Sequence, residues 1–198
     1  MKLLALIGLP ALLLPLGLST PSTTATASAP AAGAFEVDPG HSSVVFRVKH
    51  AGAAWFYGTF NQVSGSFTMN GDDPTQSEVS IEIASASIDS NSADRDGHLQ
   101  SPDFFNAAEF PAITFKSTSI AKSDAGLEIT GDLKMVGKTV EVTASAVHVG
   151  DGEFRGKRSG WETTLEIKRS DFGMNYGLEQ GVLGDDVRVI ISLEGVQR

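Results

Sequence analysis

From Phe35 to the C-terminus the chain alternates inward-type and outward-type residues with a period of two, and in only one stretch with the period of a helix. Val44, Phe46 and Val48 interleave with Val45, Arg47 and Lys49. Val63, Gly65, Phe67 and Met69 interleave with Ser64, Ser66, Thr68 and Asn70, and Val79, Ile81 and Ile83 with Ser80, Glu82 and Ala84. The pattern resumes at Ile113 and Phe115, then through Leu127, Ile129, Gly131, Leu133 and Met135. It recurs through Val140, Val142, Ala144 and Ala146, through Trp161, Thr163, Leu165 and Ile167, and through Val187, Val189, Ile191 and Leu193. Successive side chains on a strand point to opposite faces, so each run has one apolar face and one wet face. About eight runs at spacings of roughly 8–12 residues, with no βαβ rhythm, predict an all-β chain whose strands pair antiparallel. Such strands close into a barrel or stack as a sandwich. Gly65, Gly131, Ala144 and Ala146 fall on faces assigned inward. Small residues there either leave a cavity or match larger neighbours across the core.

The helical exception is Ser90–Ser117. Asn91 reads as an N-cap with Asp94 three residues on, which approximates a capping box. Gly97 weakens the turn, and Pro102 stops it after two to three turns. Phe104 and Phe105 follow, then Phe110-Pro111 and a strand. With Phe172 and Met174 in the later loop between Ser170 and Gly184, these apolar residues outside strands are expected to cover one end of the sheet structure. That cover is either a plug or the lid of an apolar pocket. Gly150–Gly160 reads as a glycine-rich connection.

Before the alternation, Lys2 precedes an apolar run from Leu3 to Leu18, then a Ser/Thr/Ala-rich stretch ending in the triplet Ala32-Gly33-Ala34. This is the layout of a secretory signal peptide. The expected division is residues 1–34 as signal peptide, its later part a disordered leader, and residues 35–198 as one domain. Ala27 and Ala29 are further candidate cleavage edges. Pro10 and Pro15 interrupt a run already shorter than the roughly 20 residues a membrane span needs, so no stable span is expected in the mature form. With no cysteine there is neither a lipid-anchor thiol nor a disulfide. The net charge is −9, and Lys2 is the only charged residue before Glu36. A domain this acidic lacks the basic stripe that nucleic acid or an anionic membrane surface would require.

Motifs for chemistry are missing. There is no G-x-S-x-G elbow, phosphate loop or dinucleotide glycine pattern. The four histidines show no metal-ligand spacing, so neither a metal nor a cofactor is expected. His50 continues the Val44–Val48 face and His148 the Ala144–Ala146 face, so both are expected as capping residues at a barrel mouth. Asp94 and His98 lie one helical turn apart and read as a surface ion pair. Arg169 and Asp171 read as a pair that pins the loop carrying Phe172.

Three runs stand out: Asp38-Pro39-Gly40-His41-Ser42-Ser43, Arg95-Asp96-Gly97-His98-Leu99-Gln100-Ser101-Pro102-Asp103-Phe104-Phe105, and Arg169-Ser170-Asp171-Phe172-Gly173-Met174. By these runs the chain resembles the YceI-like family of bacterial exported proteins. The resemblance extends from Phe35 to the C-terminus. It implies an eight-stranded antiparallel lipocalin-like barrel with a short helix and loop as cover. It also implies a periplasmic or secreted protein, sometimes a homodimer, that holds a polyisoprenoid or other long-chain amphiphilic lipid without catalysing a reaction. Carried onto this chain, the ligand-binding candidates are Val44, Phe46 and Val48 on one strand, Phe67, Ile81 and Ile83 on the next two, and Phe115, Leu133, Trp161, Ile167, Val189 and Ile191 further on. Phe104, Phe105 and Phe172 join them from the cover. Trp55-Phe56-Tyr57 and Val63 depart from the family pattern and are expected to reshape the pocket. Two other readings stand beside this one. One is a stress-related interaction protein with a filled barrel. The other is an enzyme acting on such a lipid through His50, His98 or Arg169.

Overall fold

The structure, a computed structural model, describes residues 31–198. The apolar run and most of the expected signal peptide lie outside the described residues. Eleven strand segments make one antiparallel sheet. They are β1 (Gly33–Val37), β2 (Ser43–His50), β3 (Ala54–Phe60), β4 (Val63–Met69), β5 (Glu78–Ala84), β6 (Ile88–Asp89), β7 (Ala112–Ser123), β8 (Gly126–Met135), β9 (Lys138–Glu153), β10 (Lys157–Lys168) and β11 (Leu183–Gln197). Six of these segments are halves of three longer strands. β1 and β2 lie end to end along β11, with Val37 opposite Gly195 and Ser43 opposite Ser192. β3 and β4 lie end to end along that composite strand, and β5 and β6 along theirs. The pairing of β1 with β11 closes the ring, giving a closed eight-stranded antiparallel barrel, as expected.

The breaks follow from local chemistry. Pro39 has no N–H to give a ladder, and the chain turns there with Asp38 N–H bonding Glu194 O and Gly40 N–H bonding Asp38 Oδ1. At Asn61-Gln62 the freed N–H groups find Ser87, through its carbonyl at 3.0 Å and its hydroxyl at 3.1 Å. Between β9 and β10 the predicted glycine-rich connection is not a loop. Both strands run on through Gly150, Gly152 and Gly160, and only Phe154–Gly156 turn. Ladder hydrogen bonds hold these glycines in a hairpin despite their weak strand preference.

One end of the barrel, here the upper, carries α1 (Ala93–Leu99), the loop after it and the loop between β10 and β11. The helix is placed as expected, but its cap is not. The N-cap is Ser92, while Asn91 adopts a left-handed φ of 61°. Asp96 turns back to accept the Ser90 N–H at 2.7 Å, and Arg95 bonds the Ser90 carbonyl at 2.6 Å. His98 bonds Asp103 at 2.9 Å rather than Asp94. The loop after the helix folds back toward it, and this brings Asp103 within reach of the ring.

Buried side chains of the interior pack in two clusters. The upper includes Val44, Phe60, Ile83, Leu133, Met135 and Phe172, and the lower includes Phe35, Phe67, Met69, Leu127 and Trp161. Inward glycines make room for rings. A Cβ on Gly131 would stand 2.6 Å from Phe115 Cζ, and one on Gly58 would stand 2.3 Å from Phe46 Cζ. Gly131 therefore matches a large neighbour and does not itself open a void.

Candidate functional site

The strands and the cover enclose a cavity of about 160 Å3 open to the centre of a water molecule. That is roughly ten times what one buried water needs. Its lining is apolar except for Thr163 and Arg169. Phe46, Leu165, Ile167, Val189 and Ile191 point inward yet remain only half-buried. They face the cavity where a filled barrel would give them packing partners. An apolar cavity of this kind favours an apolar guest over water.

Val44, Phe46, Val48, Ile81, Ile83, Phe115, Leu133, Ile167, Val189 and Ile191 line the cavity from the strands, and Phe104 and Phe105 line it from the cover. Phe105 meets Phe60 edge to face with centroids 5.3 Å apart. Three expected contacts lie off the lining. Phe67 and Trp161 are buried in the lower cluster, beneath the cavity. Alternation assigns the face of a strand but not the height along the barrel axis at which a cavity ends. Phe172 is also off the lining. Pairing of β9 with β10 stops at Ser145 and Thr164. The 3-10 turn Arg169–Phe172 follows β10, and Phe172, 1% exposed, sits beside Val140, Val142 and Ile167 where the two strands part.

Further residues beyond those expected line the cavity. Ile113, Leu165 and Leu193 share faces already assigned inward, so the alternation carried that signal. Leu99 and Leu183 reach the cavity from a helix end and a strand end, where no periodicity marks them. Trp55 and Tyr57, expected to reshape the pocket, lie outside it, 48% and 52% exposed, with the Arg47 guanidinium 4.3 Å above the Trp55 ring. Val63 is buried beside the cavity without lining it.

The polar groups serve the cover and the seams. Arg169, 4% exposed, donates to the carbonyls of Gly184 at 2.7 Å, Met174 at 2.7 Å and Leu183 at 3.0 Å. Burial lowers its pKa, and Asp185 opposes that shift. Arg169 thus pins the loop as expected, but through carbonyls and not through Asp171. Asp185 is the carboxylate that holds Ser170, through its N–H and hydroxyl. His50 is exposed at the end of β2 rather than inward. His148 packs on Trp161 with centroids 5.0 Å apart and bonds Asp151. At the Pro39 break, Asp38, His41 and Glu194 come within 4.8 Å of one another. The Arg158 guanidinium already bonds both carboxylates, so this cluster has its cation.

The profile of the YceI-like domain family matches residues 35–195. Protein YceI of Escherichia coli O17:K52:H18 is 41% identical over 187 residues, covering 92% of this chain and 97% of that protein. Among solved structures, BcnA of Burkholderia cenocepacia superposes with a TM-score of 0.73 at 25% identity, over 80% of this chain and 98% of that one. A polyisoprenoid-binding domain from Saccharophagus degradans superposes with a TM-score of 0.63 over 83% of this chain and 98% of its own. At 15% identity that likeness shows the fold alone.

Proposed function

This chain belongs to the YceI-like domain family, and from that premise we propose that it binds a polyisoprenoid or similar long-chain amphiphilic lipid in the barrel lumen and carries or stores it without chemistry. The cavity carries this reading. Its walls offer hydrocarbon on every side, and each methylene moved there from water contributes about 0.8 kcal/mol. An apolar tail that enters the cavity can therefore bind without polar recognition. The same fold serves as a polyisoprenoid-binding domain in Saccharophagus degradans.

Export is part of the proposal. Residues 1–34 have the layout of a signal peptide, which supports export of the barrel to the periplasm or out of the cell. Among the described residues, no helix is long and apolar enough to cross a membrane. A homodimer fits the family resemblance and is tested by light scattering. The deciding experiment for function is organic extraction of protein purified without detergent, followed by mass spectrometry. A long-chain apolar molecule at near-stoichiometric yield is the expected result. A protein that yields none, and takes up none when offered polyprenyl alcohol, does not have this function.

A further inference from the structure

We propose that Phe115 is the length stop of the tube, so that a lipid enters tail first from the upper end and the barrel selects its guest by the length of that tail. The proposal rests on the lipid-binding reading above and adds to it which chains fit.

The two ends of the interior differ. Below the cavity the barrel is packed solid, with Phe35, Phe67, Met69, Leu127 and Trp161 between 0% and 7% exposed. Phe35 and Phe67 stack there with centroids 5.1 Å apart. Above the cavity lie the helix, the loop after it, the loop between β10 and β11, and the short β2–β3 and β8–β9 turns. Loops open at far lower cost than a packed cluster of rings, so the upper end is the entrance. The one charged residue of the lining, Arg169, is at that end too, which favours the polar head there and the tail at the floor.

Three residues belong to both the lining and the lower cluster: Val79, Phe115 and Ile129. They are the floor, and Phe115 is the largest of them. Its position is set by a neighbouring strand. The ring occupies the space a side chain on Gly131 would need, at 2.6 Å and 2.8 Å from that Cβ. The floor is thus one ring seated over a glycine, and its height changes with the size of residue 115.

Purified protein, delipidated and offered a homologous series of fatty alcohols and of polyprenyl alcohols in competition, is read by native mass spectrometry. Wild type is expected to show a length of maximal occupancy. Phe115→Ala shifts that maximum to longer chains, and Phe115→Trp shifts it to shorter ones. Admission of two further methylenes raises relative occupancy roughly tenfold. Thermal melts confirm folding, and Phe115→Leu supplies a smaller step if the alanine variant does not fold. Variants that load with an unchanged optimum, or that both shift in one direction, overturn the length stop and leave lipid binding standing. If no chain loads into wild type, the binding reading fails and the length stop with it.

Discussion

Single side chains explain why the cover holds its shape. Arg169 is a buried cation whose three bonded acceptors are backbone carbonyls. Removing it leaves those carbonyls without their donor, at about 1–3 kcal/mol for each one that water cannot reach. Arg169→Met is expected to lower the melting temperature by roughly 5 °C or more. Arg169→Lys is expected to rescue little, since one ammonium cannot reproduce the fork that spans Gly184, Met174 and Leu183. A thermal melt of the two variants checks this, and full rescue by lysine would contradict it. Phe172 is the second such residue. Phe172→Ala removes the filling between β9 and β10 and is expected to cost about 3–5 kcal/mol in denaturant unfolding.

At the scale of elements, α1 is too short to persist alone, because helices below roughly 12 residues are marginal in water. Its anchors are Asp96 and Arg95 on Ser90, and the His98–Asp103 bond. Asp96→Ala is expected to raise amide exchange across residues 90–111 while the ladder of β7 and β8 stays protected. Equal protection in variant and wild type would refute that role. β1 bears on export in the same way. Gly33 and Ala34 pair with Met69 and Thr68, and the Ala31 N–H bonds Asp151. Cleavage after Ala34 would remove the first two residues of a strand that closes the barrel. Cleavage after Ala27 or Ala29 leaves that strand whole. The intact mass of exported protein is therefore expected to place the N-terminus upstream of Gly33.

For the molecule as a whole, acid is the expected weakness. The Arg158 guanidinium and His41 hold the Asp38 carboxyl well below its ordinary range, and the Thr75 hydroxyl and the Asn91 amide lower Asp73 and Asp89. A depressed folded pKa stabilises above the unfolded value, near 3.9 for aspartate, and that contribution is lost as pH falls toward the folded value. The melting temperature is expected to hold above about pH 4 and to decline below it. Asp38→Asn should flatten the decline, because an amide at that position has no proton to gain. A profile unchanged by the substitution would show that the Pro39 break does not set the acid sensitivity.

The alternation of small sets of residues such as Val44, Phe46 and Val48 was enough to establish an all-β chain and the inward face of most strands. Side-chain direction follows a strand with period two whatever the strand pairs with. The run from Arg95 to Phe105 likewise marked the cover. Height, depth and partner were not legible, because each depends on residues far away in sequence. Only the closed barrel put Trp161 and Phe67 under the floor and Trp55 outside the wall. Only it seated Phe115 over Gly131, gave Arg169 to three carbonyls in place of Asp171, and joined His98 to Asp103. Periodicity is a property of one strand, whereas a cavity is what remains after all the strands have packed.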